Sequence, residues 1–132
     1  MFTLVKHDDA IADLEALWQR DIDAAAYIEA FLEQLENDQY LLDSLTVQKF
    51  FDDTMDVQHF AEHWGQGRNL WRLKFIEFDN PALSYRIIYA FEPSISRYHI
   101  LGVVNRDFGY RNDDDRTRRI IAAYTGLDIP SY

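Results

Sequence analysis

The sequence predicts an α+β fold in which an N-terminal helical hairpin packs on a small antiparallel sheet, followed by a C-terminal helix. Three observations predict this fold. The first glycine is Gly65 and the first proline is Pro81, so the opening 64 residues lack the residues that most often interrupt regular structure. From Leu70 the apolar period changes to two, which is typical of strands. Three aspartates at 113–115 can then cap a closing helix, because an apolar pattern at helical spacing follows them.

Two apolar stripes predict the helical hairpin. After a short β-prone start at residues 2–5, Asp8 and Asp9 can cap the first helix. Glutamates occupy the opposite surfaces, as expected for helices with one face on a core. Residues 38–64 have no regular period and receive no assignment. The two stripes consist of Ile11, Leu14, Leu17 and Trp18, and of Tyr27, Ile28, Phe31, Leu32 and Leu35.

Alternation of side chains predicts three strands in the second half. The first strand begins at Leu70, the second covers residues 84–91, and the third runs from about residue 97 to residue 105. Turn residues at 79–81 and 92–94 make the connections short, which favours an antiparallel meander. The core-facing positions are predicted to be Trp71, Leu73, Phe75, Tyr85, Ile87, Tyr89 and Phe91.

Composition limits the class of protein. The 132 residues, with a mass of 15.6 kDa, fit one domain covering residues 1–132, since a single hydrophobic core commonly forms from about 100–150 residues. The chain has no cysteine, which excludes disulfides and cysteine-ligated metal sites. Its apolar runs are too short for a membrane span, and its N-terminus lacks the apolar region of a signal peptide. We therefore expect a cytoplasmic protein without a membrane partner.

The net charge of −10 is unevenly distributed along the chain. Residues 1–65 contain 3 Lys and Arg against 15 Asp and Glu, whereas residues 66–132 contain 10 against 8. The two halves therefore carry net charges of −12 and +2. This asymmetry indicates an acidic, solvated helical half and places any anion-binding surface in the second half.

The second half contains a set of basic residues that could meet on one surface. Strand alternation puts Arg72 and Lys74 on the face opposite the core, and Arg86 can join them from the next strand of a hairpin. Arg106 and Tyr110 follow where the third strand ends. Such a group can bind a phosphate, stabilise its developing charge and stack on a base. The alternative is that these are ordinary exposed residues of a half-solvated sheet.

Two other patterns have simpler explanations. His59, Glu62 and His63 spell H-x-x-E-H, a zinc-protease pattern when it lies on a helix, but the chain is too short for such a catalytic domain, and we expect no metal. The arginines at 116, 118 and 119 follow three aspartates, so ion pairing is favoured over phosphate binding.

Three consecutive segments of the second half resemble a known family. They are Leu-Trp-Arg-Leu-Lys-Phe at 70–75, Tyr-Arg-Ile-Ile-Tyr at 85–89 and Val-Val-Asn-Arg-Asp-Phe-Gly-Tyr at 103–110. In this order they are similar to strands of the RelE/ParE superfamily, the toxins of type II toxin–antitoxin systems. The resemblance implies a RelE-like fold for the domain.

The resemblance also implies a reaction. In nuclease members of the family, a 2′-hydroxyl of ribosome-bound messenger RNA attacks the adjacent phosphate without a metal ion. The matching residues imply that Lys74 helps to activate the 2′-hydroxyl, that Arg72 and Arg86 hold the phosphate, and that Arg106 assists the leaving group. Tyr110 would orient or stack on a nucleotide. The implied function is a metal-independent endoribonuclease that needs no cofactor.

The implied partners are a cognate antitoxin, messenger RNA and the ribosome. Gyrase-inhibiting members share the fold and do not cleave RNA, so a non-catalytic toxin that binds DNA gyrase is an alternative, and an inactive family member is another. The basic residues favour the nuclease. The acidic total and the extra residues before the first long strand depart from the family's pattern.

Overall fold

A five-stranded sheet forms the centre of the computed structural model, which describes residues 1–108 and 114–131. The strand order is β1-β5-β4-β3-β2. The α+β class and the three predicted strands are confirmed. The strands are β1 (Thr3–Lys6), β2 (Met55–His59), β3 (Leu70–Phe75), β4 (Tyr85–Glu92) and β5 (Arg97–Asn105).

The sheet is mixed, so the prediction of an antiparallel sheet is wrong at one edge. Strands β2 to β5 pair antiparallel, whereas β1 pairs parallel with β5, with Leu4 opposite Tyr98. The sequence indicated β-propensity at the N-terminus, but a four-residue strand carries no signal that identifies its partner or its direction.

Five helices accompany the sheet in the described part of the chain. Only Asp21 separates the first two, which correspond to the two predicted stripes. The unassigned region contains two short helices and β2, and the predicted C-terminal helix is present. The helices are α1 (Asp8–Arg20), α2 (Ile22–Glu36), α3 (Gln39–Ser44), α4 (Ala61–Gly65) and α5 (Asp115–Gly126).

The N-cap of α1 lies one residue before the predicted cap at Asp8 and Asp9. The His7 side chain accepts a hydrogen bond from the Asp9 N–H at 3.0 Å, so His7 is the N-cap. Asp8 and Asp9 lie in the first turn, where carboxylates interact favourably with the helix dipole. For α5 the predicted cap is confirmed, because the Asp114 carboxylate accepts from the Arg116 N–H at 2.8 Å.

The two faces of the sheet bury separate cores. Helices α1 and α2 cover the first face, where Trp71, Leu73 and Phe75 are buried as predicted. Helix α5 covers the centre of the second face through Ile120 and Tyr124. The second face therefore has a covered centre, and polar positions of β2, β3 and β4 remain beside it.

An ion pair joins the two helical layers at the edge of β5. Asp13 of α1 accepts two hydrogen bonds from the Arg119 guanidinium of α5, at 2.8 and 2.6 Å, and one from the Val103 N–H at 2.9 Å. A Cβ on Gly102 would lie 3.2 Å from Arg119 Nη2, so the absence of a side chain at Gly102 permits this close approach.

No helix among residues 1–108 and 114–131 combines the length and the apolarity needed to cross a membrane.

Candidate functional site

Two of the predicted basic residues lie side by side on the second face of the sheet. Strand register places Lys74 of β3 directly opposite Arg86 of β4, with Asp56 of β2 on one side of them and Val104 of β5 on the other. Side chains at directly opposed positions have Cβ atoms about 4.5–5.5 Å apart, and like charges there are destabilising. Lys74 therefore has a like charge, Arg86, at one directly opposed position and an opposite charge, Asp56, at the other.

Arg106 joins this pair where β5 ends. Its backbone N–H donates to the Ser84 carbonyl at 2.7 Å, which fixes the start of the loop after β5 beside the start of β4. Lys74, Arg86 and Arg106 then line one solvent-open cavity of about 270 Å³. Three apolar residues complete its lining, namely Phe75, Ile76 and Leu83. Three of the five residues predicted for the site therefore line one cavity.

The three cations of this cavity, which we call the basic cavity, lack ion-pair partners in the described part of the chain. Among residues 1–108 and 114–131, no carboxylate lies within 4.0 Å of the charged atoms of Lys74, Arg86 or Arg106, and their side chains make no hydrogen bond. The described lining contains no acidic residue. The basic cavity is therefore a site of unneutralised positive charge in an acidic protein.

Arg72 is not part of the basic cavity. Its Nη1 lies 3.5 Å from the Asp56 carboxylate and donates to the Asp56 carbonyl at 3.3 Å. Both side chains are largely buried, with exposed fractions of 12% and 14%. Arg72 lines a neighbouring cavity of about 410 Å³ with residues 58–62. The structure thus separates Arg72 from the other cations, and Tyr110 lies outside the described residues.

Sequence reasoning missed Asp56, because it falls in the unassigned region 38–64. Its only signal was the alternation of Met55 and Val57 with polar residues, which is short and ends at His59. Asp56 both neutralises Arg72 and borders Lys74 in the register. Asp56 therefore lies between the neutralised Arg72 and the basic cavity, next to Lys74.

The H-x-x-E-H pattern does not form a two-histidine helix. His59 belongs to β2, and its ring stacks on Trp64 with a centroid distance of 3.7 Å. His63 belongs to α4 and is buried against Phe60. Burial lowers the pKa of His59 from its ordinary value. Within the described ranges, no three His, Asp or Glu side chains are grouped as metal ligands.

The arginines of α5 are ion-paired, as predicted. Arg116 contacts the carboxylates of Asp114 and Asp107, each at 2.8 Å, and Arg118 pairs with Asp115. The hydrogen bonds from Arg116 lower the pKa of Asp114 to about 2. Arg116 is held by two carboxylates, which makes it a weak candidate for binding a phosphate, whereas the Arg118–Asp115 pair is solvent-exposed and can open.

Comparison of the chain with protein-family models, curated proteins and solved structures gave no match. A functional proposal therefore depends on the chemistry of the site itself.

Proposed function

We propose that the protein is the toxin of a toxin–antitoxin pair and that it cleaves messenger RNA on the ribosome without a metal ion. The observation that carries the proposal is the convergence of Lys74, Arg86 and Arg106 on one open cavity with no carboxylate in its described lining. RNA cleavage is also the function implied by the resemblance of these strands to RelE-like nucleases.

A phosphodiester fits the basic cavity for electrostatic reasons. Lys74 and Arg86 repel each other across the β3–β4 ladder, and a bound anion would convert this repulsion into attraction to a shared partner. Guanidinium groups also bind phosphate oxygens in a bidentate geometry. The apolar residues Ile76 and Leu83 in the lining limit the water that competes for the contacts between the cations and the phosphate.

The reaction requires one proton transfer at each end of the phosphate. The 2′-oxygen attacks the adjacent phosphorus and loses its proton, the bond to the 5′-oxygen breaks, and the leaving oxygen gains a proton. We assign Lys74 to the charge that develops on the 2′-oxygen as its proton passes to water, Arg86 to the charge on the non-bridging oxygens, and Arg106 to the leaving oxygen, which takes its proton from water. Tyr110 keeps its expected role of stacking on a nucleotide.

Arg72 takes a different role in this proposal. It lies two residues from Lys74 along β3, which corresponds to roughly 7 Å, beside the neighbouring cavity. An RNA strand that continues past the scissile phosphate would meet Arg72 only if Asp56 gives up its ion pair. Arg72 is therefore assigned to a flanking nucleotide and not to the reacting phosphate.

The cognate antitoxin is the second proposed partner. An active nuclease must be held inactive in its own cell, and a segment that folds over the basic cavity would do so while ordering on binding. The acidic half of the chain, with its net charge of −12, disfavours non-specific contact with RNA elsewhere on the surface. Co-purification with the product of the neighbouring gene tests this partnership.

The experiment that tests the proposed reaction compares three variants with the wild type. Lys74→Gln, Arg86→Gln and the double variant remove charge from the basic cavity, and Lys6→Gln removes an exposed lysine from edge strand β1 as the matched control. Loss of one preorganised charge at a phosphoryl centre costs on the order of 10²–10³ in rate. We expect that loss in cleavage of ribosome-bound messenger RNA and in growth arrest for the first three variants only.

Stability separates a functional effect from unfolding. Removing one of two opposed cations should leave the free energy of unfolding unchanged or raise it by a few tenths of a kcal/mol. A double variant that still arrests growth, with intact transcripts and a DNA-damage response, would replace the nuclease by the gyrase-binding alternative. A wild-type protein without any toxicity would indicate an inactive family member.

A further inference from the structure

A second cavity in the described part of the chain is separate from the basic cavity. It has a volume of about 530 Å³ and lies between the segment that follows α4 and the first two turns of α5. Cavities that bind small molecules usually have volumes of roughly 300–1,000 Å³ and combine an apolar wall with a few polar groups. Here Ile121 and Ala122 form the apolar wall, and Arg68, Thr117 and Arg118 are polar.

Two hydrogen bonds to uncharged acceptors orient the Arg68 guanidinium. Its Nη1 donates to Nδ1 of the buried His63 at 2.8 Å and to Oε1 of Gln66 at 2.5 Å. A guanidinium can only donate, so His63 Nδ1 accepts and carries no proton. Neither partner is a carboxylate, and the described part of the chain offers Arg68 no ion pair. Arg68 therefore presents a fixed positive charge to the cavity.

Thr117 supplies a second, independent observation. The residue lines the same cavity and is only 1% exposed, and its hydroxyl has no hydrogen-bond partner within residues 1–108 and 114–131. Buried polar groups of native proteins are nearly always hydrogen-bonded, and an exception calls for an explanation. A ligand that accepts a hydrogen bond from Thr117 in the cavity would provide one.

We propose that this cavity binds the phosphate of a nucleotide-sized phosphomonoester. A phosphomonoester carries a charge of about −1.5 to −2 near neutral pH, which suits two guanidinium groups better than a single carboxylate would. Arg68 and Arg118 contact the phosphate, and the Thr117 hydroxyl donates to one of its oxygens. Arg118 is free to turn from Asp115, since that ion pair is exposed on both sides. The remainder of the ligand packs on Ile121 and Ala122.

This site is independent of the proposed nuclease activity, because it shares no residue with the lining of the basic cavity. Measurements of phosphomonoester binding therefore test the proposal without a nuclease assay. Isothermal titration calorimetry with adenosine 5′-monophosphate, inorganic phosphate and adenosine as probes distinguishes the phosphate from the rest of the ligand.

For the wild type we expect the monophosphate to bind at least about tenfold more tightly than adenosine and than inorganic phosphate. Arg68→Gln and Arg118→Gln should each weaken monophosphate binding about tenfold, as loss of a charged hydrogen bond does. Thr117→Val keeps the shape and removes the hydroxyl, so it should weaken binding severalfold while the thermal midpoint stays equal or rises. Lys6→Gln, at an exposed position of edge strand β1, should bind as the wild type does.

Several results would overturn the proposal. The first is the absence of saturable monophosphate binding. The second is wild-type affinity in both Arg118→Gln and Thr117→Val. The third is loss of binding in Arg86→Gln, which would place the monophosphate in the basic cavity. Inorganic phosphate binding as tightly as the monophosphate would contradict the nucleotide-sized ligand. Should Arg68→Gln fail to fold because His63 loses its partner, the exposed Arg118 and the isosteric change at Thr117 still decide the question.

Discussion

The protein contains two groups of three cations that the fold treats in opposite ways. On α5, Arg116, Arg118 and Arg119 each have a carboxylate partner. In the basic cavity, Lys74, Arg86 and Arg106 have none among the described residues. Both groups consist of basic residues, so the difference comes from placement. Cations that are unpaired, or paired only at an exposed position as Arg118 is, remain available to a ligand, whereas Arg119 is held by a carboxylate from the other helical layer.

The three paired cations of α5 differ in how far along the sequence their carboxylate partners lie. Arg116 and Arg118 find their aspartates within a few residues of sequence. Arg119 instead pairs with Asp13, which is 106 positions away and belongs to the other helical layer. This pair closes the edge of β5 that β1 leaves open after Lys6. Among the paired cations, Arg119 is therefore the one whose loss of partner should have the largest effect.

The first prediction is that Asp13→Ala destabilises the protein by about 2 kcal/mol. The substitution removes the acceptor of the Val103 N–H, and an unpaired buried backbone group costs about 1–3 kcal/mol. The Arg119 pair is partly exposed and adds little. Urea unfolding measures the change, with Asp115→Ala as control, since Asp115 is 92% exposed and should cost less than about 0.5 kcal/mol. Equal costs at both positions would show that the edge contact has no special weight.

Sequence reasoning recovered the fold class because its signals are local. The helical stripes and the alternation of β3 and β4 reflect burial on one face, and both appear in the structure. The parallel pairing of β1 and the short elements of residues 38–64 could not be recovered. Their formation depends on partners distant in sequence, such as Tyr98 for Leu4 and Phe75 for Met55.

The candidate site was predictable to a similar degree. Alternation along β3 and β4 put Lys74 and Arg86 on the solvent side, and the register then brought them together. What sequence could not show is which cation is already neutralised. Arg72 shares the face and the strand of Lys74, yet the partner of Arg72 comes from β2, a strand that the pattern left unassigned.

The second prediction rests on the proposed function and concerns a variant in which Arg72 loses its ion-pair partner. Asp56→Asn removes the carboxylate that neutralises Arg72, so RNA binding should strengthen severalfold. The slope of log affinity against log salt should steepen by about 0.7, the value for one added contact between a cation and a single-stranded phosphate. Fluorescence anisotropy with a short RNA over a salt series measures both quantities.

The matched control for this prediction is Asp53→Asn. It makes the same change of net charge at an exposed position in the same segment. It should leave the slope unchanged, because long-range charge alone adds no contact. Equal slopes for wild type and both variants would mean that Arg72 does not reach RNA, and the flanking role proposed for it would be withdrawn.

The last prediction concerns the smallest effect, the charge on the N-cap of α5. Asp114→Asn keeps an oxygen that accepts from the Arg116 N–H, since asparagine caps helices as well as aspartate, but it loses the ion pair. In the folded protein Arg116 lowers the pKa of Asp114 to about 2 from an ordinary value of 3.8. Because the folded-state pKa is the lower one, the charged carboxylate stabilises the fold. That contribution is complete above the ordinary pKa and is lost as the pH falls through about 2. Urea unfolding should therefore show the wild type more stable than Asp114→Asn near neutral pH, with the difference shrinking between about pH 4 and pH 2. In an Arg116→Gln background the largest cause of the shift is absent, while the backbone N–H groups of residues 116 and 117 still lower the pKa of Asp114, so the difference should depend less on pH in that window. A dependence as large as in the wild-type background would mean that the α5 cations do not act through the pairing seen in the structure.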